Sequence, residues 1–158
     1  MMNILFICTH NRCRSILAQA ITRQISKEKV NVQSAGSAPA RRVHKLTLEH
    51  LHRHGYETKD LHSKSWDDLG DFEPDVCITV CDNAAQEACP VWLGDALKIH
   101  WGLSDPSSDN LAEEQRQTAF DTVIDILEKR RNRLCQYDFK GMNDEKLKNI
   151  FKEIGEIT

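Results

Sequence analysis

The sequence predicts an α/β fold: one domain built on a doubly wound, four-stranded parallel sheet with helices on both faces. Short apolar runs rich in β-branched residues alternate along the chain with stretches of helical periodicity. The intervals between these runs are long enough for the crossovers that parallel strands need. The length of 158 residues suits one domain with a proper core. We assign residues 1–140 to this domain and 141–158 to a C-terminal helical extension that packs on it or trails from it.

The first half of the chain predicts two strands and two helices. Residues 3–7 form a short apolar run with Ile, Leu and Phe, typical of a buried strand. A helix follows from residue 15, since an apolar stripe recurs there at four-residue steps: Leu17, Ile21 and Ile25. Residues 31–34 form the second strand, and the loop "SAGSAPARR" ends it. A helix over 43–54 stops at Gly55.

The second half continues the alternation. Residues 76–80 are mostly β-branched and predict a central strand, and "ALKIHWGL" at 96–103 predicts the fourth. A long helix over 111–136 carries an apolar stripe of Phe120, Val123, Ile124 and Leu127. A short amphipathic helix over 143–154 closes the chain.

Composition limits the classes of partner and compartment. The net charge of −3 does not indicate a nucleic acid or an anionic membrane as partner. No run approaches the roughly 20 apolar residues of a membrane span, and the start of the chain lacks the basic region of a signal peptide. We therefore expect a cytoplasmic protein. In a reducing compartment the six cysteines are expected to be buried thiols, metal ligands or reactive groups rather than structural bridges.

The stretch "FICTHNRCRS" predicts an anion-binding loop between the first strand and the first helix. Five residues between Cys8 and Arg14 let the backbone curl so that its N–H groups point inward, and the following helix adds its positive end. Arg14 supplies a planar fork for two oxygens. The same field is expected to lower the pKa of Cys8, and Ser15 can donate a hydrogen bond to its sulfur. The candidate oxyanion-binding residues are Thr9, His10, Asn11, Arg12, Cys13 and Arg14.

Asn11 can adopt the left-handed conformation that a tight loop of this kind needs. We expect Cys13 to pack under the loop rather than react. In parallel sheets, ligands bind beyond the carboxyl ends of the strands. Cys81 and Asp105 follow the third and fourth strands, so both are expected to share the pocket of Cys8.

Cys81 and Cys89 suggest a redox pair. Seven residues rich in Ala, Gln and Glu separate them, enough for two helical turns. On a helix the two would lie about 12 Å apart along the axis. A disulfide needs Cα atoms within about 7 Å, so bonding them would require the segment to unwind. Two buried hydrophobic cysteines, or a zinc site with His100, are the alternatives. His50 and His54 lie one helical turn apart and could chelate a metal, but we interpret them as part of an exposed helix face.

The loop resembles that of the low-molecular-weight tyrosine phosphatase superfamily, whose pattern is Cys-x-x-Asn-x-Cys-Arg-Ser. The matching positions are Cys8, Asn11, Cys13, Arg14 and Ser15. "SAGS" at 34–37 and Asp105-Pro106 also fit, and the similarity runs over residues 3–108 and more loosely through the long helix. The resemblance implies a doubly wound sheet, a nucleophilic Cys8 and Asp105 as general acid. His10 stands where many members have Gly, so this position either tolerates His or does not require a positive φ.

Two further segments resemble the arsenate reductases built on that scaffold and coupled to thioredoxin-type dithiols. They are "TVCDNAAQEACPVW" and "HWGLSDPSS", and the latter lacks the aromatic residues that would hold a phosphotyrosine ring after Asp-Pro. The resemblance implies that Cys8 attacks arsenate, Cys81 attacks Cys8, and Cys89 then forms a disulfide with Cys81. No cofactor or metal is implied beyond an external thiol reductant, either thioredoxin or glutathione with glutaredoxin.

Two other functions remain open from the sequence. One is a low-molecular-weight protein tyrosine phosphatase that hydrolyses phosphomonoesters through Cys8 and whose other cysteines are incidental. The other is a non-enzymatic module that binds oxyanions or senses redox state.

Overall fold

The computed structural model describes residues 1–86 and 93–158. These residues form four strands: β1 (Met2–Ile7), β2 (Val30–Ala35), β3 (Val76–Thr79) and β4 (Leu97–His100). They also form five α-helices: α1 (Arg14–Thr22), α2 (Lys45–Arg53), α3 (Asp82–Gln86), α4 (Glu113–Leu134) and α5 (Asp144–Gly155). A short 3₁₀ helix covers Trp66–Asp68. Among the described residues, no helix is long and apolar enough to cross a membrane.

All four strands pair in parallel, in the spatial order β2-β1-β3-β4. This order confirms the predicted four-stranded parallel sheet and places β1 between β2 and β3. Ile4 is paired with Val32 on one side and Val76 on the other, and it is fully buried. Because β1 is central, the loop that follows it lies between the ends of its two neighbours.

The core is formed by the central strand and the helices that cover the sheet. Leu5 and Phe6 of β1 are fully buried, and α1 is buried along almost its whole length. The predicted stripe of α4 is buried as expected: Phe120, Val123, Ile124 and Leu127. Burial of each large apolar side chain contributes about 1.5–3 kcal/mol, so these residues account for a large part of the driving force for folding.

The helix bounds follow from local capping. Helix α2 begins at Lys45 because the Nδ1 atom of His44 accepts a hydrogen bond from the Leu46 N–H at 3.1 Å. Gly55, with φ of +86°, follows its end, as the sequence predicted. Asn143 caps α5 in the same manner and accepts from the Lys146 N–H at 2.8 Å.

The predicted bounds differ from the structure by one or two residues in most elements and by three at the end of the fourth strand. The fourth strand ends at His100 rather than at 103, because the chain beyond it turns inward to the buried Trp101. Cys135 lies one residue past α4 and is exposed. The sequence predicts two helical turns between Cys81 and Cys89, and helix α3 covers residues 82–86 of this stretch. Cys89 lies outside the described residues.

Helix α5 packs against the end of β4. The indole N–H of Trp101 donates to the Phe151 carbonyl at 2.8 Å, and Arg130 lies 5.6 Å from the centre of the Trp101 ring. The Arg130 guanidinium also donates to the carbonyls of Gly155 and Ile157, at 2.9 and 3.1 Å. These contacts fix the chain where it leaves β4 toward residue 105.

Candidate active site

The loop between β1 and α1 forms a closed turn over the carboxyl end of β1. The Cys8 N–H donates to the Ala35 carbonyl of β2 at 3.3 Å, and the Asn11 N–H donates back to the Cys8 carbonyl at 3.3 Å. Asn11 has φ of +45°, so it adopts the left-handed conformation that the sequence analysis anticipated. His10 does not, which explains how a residue other than Gly stands there.

A buried hydrogen-bond network supports the loop from behind. The Asn11 amide donates to the hydroxyls of Ser15 and Ser34, at 2.8 and 3.0 Å, and its carbonyl oxygen accepts from the Lys64 N–H at 2.9 Å. The Ser34 hydroxyl donates in turn to Gln19 at 2.6 Å. Because buried polar groups stabilise a fold only when they are paired, this network favours a single loop conformation. The Ser15 hydroxyl accepts here and keeps its own proton for a further acceptor.

Gly36 lets the segment after β2 lie directly against the loop. A Cβ atom at this position would lie 2.6 Å from the Cys8 carbonyl oxygen and still closer to that of Thr9. The Ala38 N–H donates to the Thr9 carbonyl at 3.0 Å, so the two segments are also hydrogen-bonded. This contact explains the Gly of "SAGS" in physical terms: no side chain fits there.

Arg14 joins the loop to the segment that follows β4. Its Nη1 donates to the Leu103 carbonyl at 3.1 Å, and its Nη2 lies 4.0 Å from the Asp105 carboxylate. The structure therefore brings together Cys8, Arg14 and Asp105 as predicted, although 89 positions separate Arg14 from Leu103 in sequence. The Asp105 side chain is about one-third exposed, at 35%, so it reaches the solvent side of the site.

Cys81 completes the site from the end of β3. Its sulfur accepts a hydrogen bond from the Thr9 N–H at 3.4 Å and lies 3.8 Å from the Thr9 hydroxyl. The side chains of Cys8 and Cys81 are hydrogen-bonded to each other, and both thiols are free and buried. Two cysteines that lie far apart in sequence thus stand side by side, because β1 and β3 are neighbours in the sheet.

In the pair formed by Cys8 and Cys81, the pKa of Cys81 is lowered and that of Cys8 is raised. The hydrogen bond from Cys8, together with those from Thr9 and Ala84, lowers the pKa of Cys81 to about 5. The same bond and burial raise the pKa of Cys8, and they outweigh the opposing effect of Arg14. The expectation that the pKa of Cys8 is lowered in the resting state is therefore wrong. The reason is that two adjacent thiols share one proton, and the donors to sulfur converge on Cys81.

The remaining described cysteines differ in their surroundings. Cys13 is buried under the loop, and burial raises its pKa to about 12, so it stays a thiol. Cys77 is buried within β3 and Cys135 is exposed. Cys13 thus packs where the sequence analysis expected it.

The histidines have partners other than a metal site. Among the residues that the structure describes, no group of three or more His, Cys, Asp or Glu side chains could hold a metal ion. His100 instead contacts the Thr79 hydroxyl at 2.8 Å and the Asp82 carboxylate at 3.3 Å. His50 is buried and stacked on Phe120 at 4.3 Å, so the prediction of an exposed helix face is wrong for this residue.

Sequence reasoning missed three contributors to the site. The sequence predicts oxyanion binding for Thr9, whereas its hydrogen bond to Cys81 depends on the neighbouring strand β3. Gly36 and Ser107 lie in two recognisable motifs, "SAGS" and "DPSS", which are the signals that could have identified them. The Ser107 hydroxyl and N–H both donate to Asp105, at 2.7 and 3.0 Å.

The loop between a central parallel strand and a helix holds a cysteine and an arginine with five residues between them. This arrangement defines a class of protein: α/β proteins that bind tetrahedral oxyanions at a cysteine. Comparison with known proteins gives the particular family. The model of the low molecular weight phosphotyrosine protein phosphatase family matches residues 3–149, and the chain belongs to this family.

Similar sequences come from bacterial arsenate reductases. Arsenate reductase 2 of Staphylococcus saprophyticus is 34% identical over 113 residues, which cover 72% of this chain and 85% of the relative. The arsenate reductase of Halalkalibacterium halodurans is 28% identical over 127 residues, covering 80% of this chain and 90% of the relative.

Solved structures show the same fold. An arsenate reductase in its phosphate-binding state superposes with a TM-score of 0.70 at 23% identity, covering 86% of this chain and 98% of its own. A thioredoxin-dependent arsenate reductase of Corynebacterium glutamicum gives 0.65 at 27% identity, covering 86% of this chain and 61% of its own. A low molecular weight phosphotyrosine phosphatase of Vibrio cholerae gives 0.62 at 19% identity, covering 81% of this chain and 92% of its own.

Proposed function

We propose that this chain is a cytoplasmic arsenate reductase that converts arsenate to arsenite through Cys8, Cys81 and Cys89. The observation that carries the proposal is the pair formed by Cys8 and Cys81, hydrogen-bonded to each other above an anion-binding loop. Phosphate ester hydrolysis at such a loop needs one nucleophilic cysteine, whereas reduction needs a second thiol within reach of the first. The arsenate reductases among the similar proteins support this choice.

Binding and the first chemical step use the loop itself. The oxyanion lies on Arg14 and on the loop N–H groups of residues 10, 12 and 13, since those of Thr9 and Asn11 donate to Cys81 and Cys8. The Cys8 sulfur attacks arsenic as its proton passes along the hydrogen bond to the Cys81 thiolate. Asp105 protonates the oxygen that departs as water. The product is a thioester-like Cys8–arsenic(V) adduct.

The second step is the reduction. Cys81 attacks the Cys8 sulfur and gives up its proton to an arsenic-bound oxygen. The sulfur–arsenic bond breaks, its electron pair stays on arsenic, and arsenite leaves. The two electrons come from the two thiols, which end as a Cys8–Cys81 disulfide.

The third step restores Cys8. Cys89 attacks the Cys81 sulfur, Cys8 is released as the leaving thiol, and a Cys81–Cys89 disulfide remains. An external dithiol reduces this bond. We propose thioredoxin as that reductant, and glutathione with glutaredoxin as the alternative source of electrons.

A phosphatase side activity follows from the same groups. A phosphoryl group on Cys8 would be hydrolysed, because thiols do not readily reduce phosphorus(V). The fold shared with low molecular weight phosphatases supports this second candidate function. The inward-facing Ser107, which is 1% exposed, gives no wall for a phenyl ring after Asp105-Pro106, so we expect the phosphatase activity to be weak.

Coupled NADPH oxidation tests the proposal. Arsenate is added to the protein with thioredoxin and its reductase, or with glutathione, glutaredoxin and glutathione reductase. We expect arsenate-dependent NADPH consumption with the first system, and its loss in the Cys81→Ser and Cys89→Ser variants. Cys135→Ser is the matched control, since Cys135 is exposed and outside the site, and it should behave as the wild type. Continued turnover by Cys81→Ser with the same reductant would refute the relay.

A further inference from the structure

Ser107 makes two hydrogen bonds to one atom of the proposed general acid. Its N–H lies 3.0 Å and its hydroxyl 2.7 Å from the Oδ1 atom of Asp105. Ser107 is 1% exposed, so these bonds are shielded from water, whereas the Asp105 side chain is 35% exposed. The other carboxylate oxygen, Oδ2, faces Arg14, with 4.0 Å between it and Nη2.

The two oxygens of Asp105 are therefore not equivalent. Two donors already occupy Oδ1, and a proton placed there would face both of them. Among the described residues, the contact recorded for Oδ2 is the one with Arg14 at 4.0 Å. Oδ2 is therefore the carboxylate oxygen that lies on the side of the anion-binding loop. A proton carried by Asp105 thus belongs on Oδ2, from which it can reach a leaving oxygen held by Arg14.

We propose that Ser107 is a positioning residue that selects Oδ2 of Asp105 as the oxygen that donates the proton. It acts through Asp105 and does not itself touch the substrate. The proposal rests on the role of Asp105 in the proposed function.

Leaving-group dependence separates this role from a merely structural one. Hydrolysis of phenyl phosphate needs protonation of its leaving oxygen more than hydrolysis of p-nitrophenyl phosphate does. We expect Ser107→Ala to lower kcat/KM for phenyl phosphate about tenfold, the effect of one lost hydrogen bond to a charged group, and for p-nitrophenyl phosphate less than about twofold. Ser107→Thr, which keeps the hydroxyl, should restore the wild-type ratio. Ser108→Ala is the control, because the Ser108 hydroxyl contacts the Asn110 N–H and not Asp105.

The Asp105→Asn variant makes the outcomes distinguishable. Suppose that Asp105→Asn lowers kcat/KM for phenyl phosphate more than for p-nitrophenyl phosphate, and that Ser107→Ala does not. The inference about Ser107 is then overturned while the proposed function stands. If neither variant shows selectivity, the role of Asp105 itself is wrong. The rate of arsenite formation in a single turnover provides a second readout with arsenate as the probe: Ser107→Ala and Asp105→Asn should both lower it, and Ser108→Ala should leave it unchanged. Ser107→Cys replaces the alanine variant if that variant folds poorly, because the thiol has nearly the same size and is a weaker donor. Its kcat/KM for phenyl phosphate should fall below the wild-type value by more than its kcat/KM for p-nitrophenyl phosphate.

Discussion

At the scale of single residues, the chemistry of the site depends on which sulfur carries the negative charge. The positive surroundings of Cys8 are visible in the sequence, since Arg14 and a helix start follow it. The contact between Cys8 and Cys81 reverses the expected lowering of the Cys8 pKa. This contact is not visible in the sequence, because the spacing of cysteines along a chain does not reveal strand order. The sheet order places β1 beside β3, and only then do the two thiols share a proton.

The lowered pKa of Cys81 predicts the pH dependence of thiolate absorbance. A pKa of about 5 means that the pair holds one thiolate at neutral pH and loses it as the pH falls through about 5. An ultraviolet titration of the reduced protein should show this step. Cys8→Ala removes the largest contribution to the shift, so the step should move toward the ordinary cysteine range.

The control for this titration is Cys135→Ser, which should leave the acidic step unchanged because Cys135 is exposed and lies outside the site. A wild-type protein whose first thiolate forms only near pH 8–9, the range of an ordinary cysteine, would show that the pair does not share a proton in this way.

At the scale of elements, the sequence predicts the alternation of strands and helices well, because buried strands and amphipathic helices have distinct periodicities. It predicts their ends less well. Helix α2 begins two residues later than expected because the His44 side chain caps it, and β4 ends early because Trp101 turns inward against α5. Both ends depend on contacts with side chains, and the second depends on a helix about 50 residues away.

The packing of the β2–α2 segment against the anion-binding loop gives a prediction at this scale. In Gly36→Ala the added methyl group meets the carbonyl oxygens of Cys8 and Thr9, which are backbone atoms and cannot rotate away. We expect the free energy of unfolding to fall by about 1–3 kcal/mol in urea titrations, and kcat/KM for arsenate to fall with it, because the loop must shift.

Gly102→Ala is the matched control for Gly36→Ala. Its Cβ atom would meet the His100 ring at 3.1 Å, the end of a movable side chain, so a smaller loss of stability is expected. Equal stability and activity in Gly36→Ala and wild type would contradict the close approach of the two segments.

At the scale of the whole molecule, the site exists because a parallel sheet collects the ends of its strands at one edge. The segments after β1, β3 and β4 supply Cys8, Cys81 and Asp105, and Arg14 connects the first segment to the third through Leu103. This convergence could be predicted from the sequence, since it follows from the fold class. The hydrogen bonds that orient each group could not, since they involve Thr9 and Ser107, whose roles depend on partners distant in sequence or on the turn after Asp105.

The proposed function requires that the electrons for arsenate reduction come from cysteines of this chain, which a stoichiometric experiment can measure. Fully reduced protein is mixed with arsenate in the absence of any reductant, the arsenite formed is counted, and the disulfides are mapped by mass spectrometry. We expect about one arsenite per chain, with a Cys81–Cys89 disulfide in the wild type and a Cys8–Cys81 disulfide in Cys89→Ser. Arsenite formation by Cys81→Ser at the wild-type yield, or a wild-type protein that keeps all six cysteines reduced in the presence of arsenate, would contradict it.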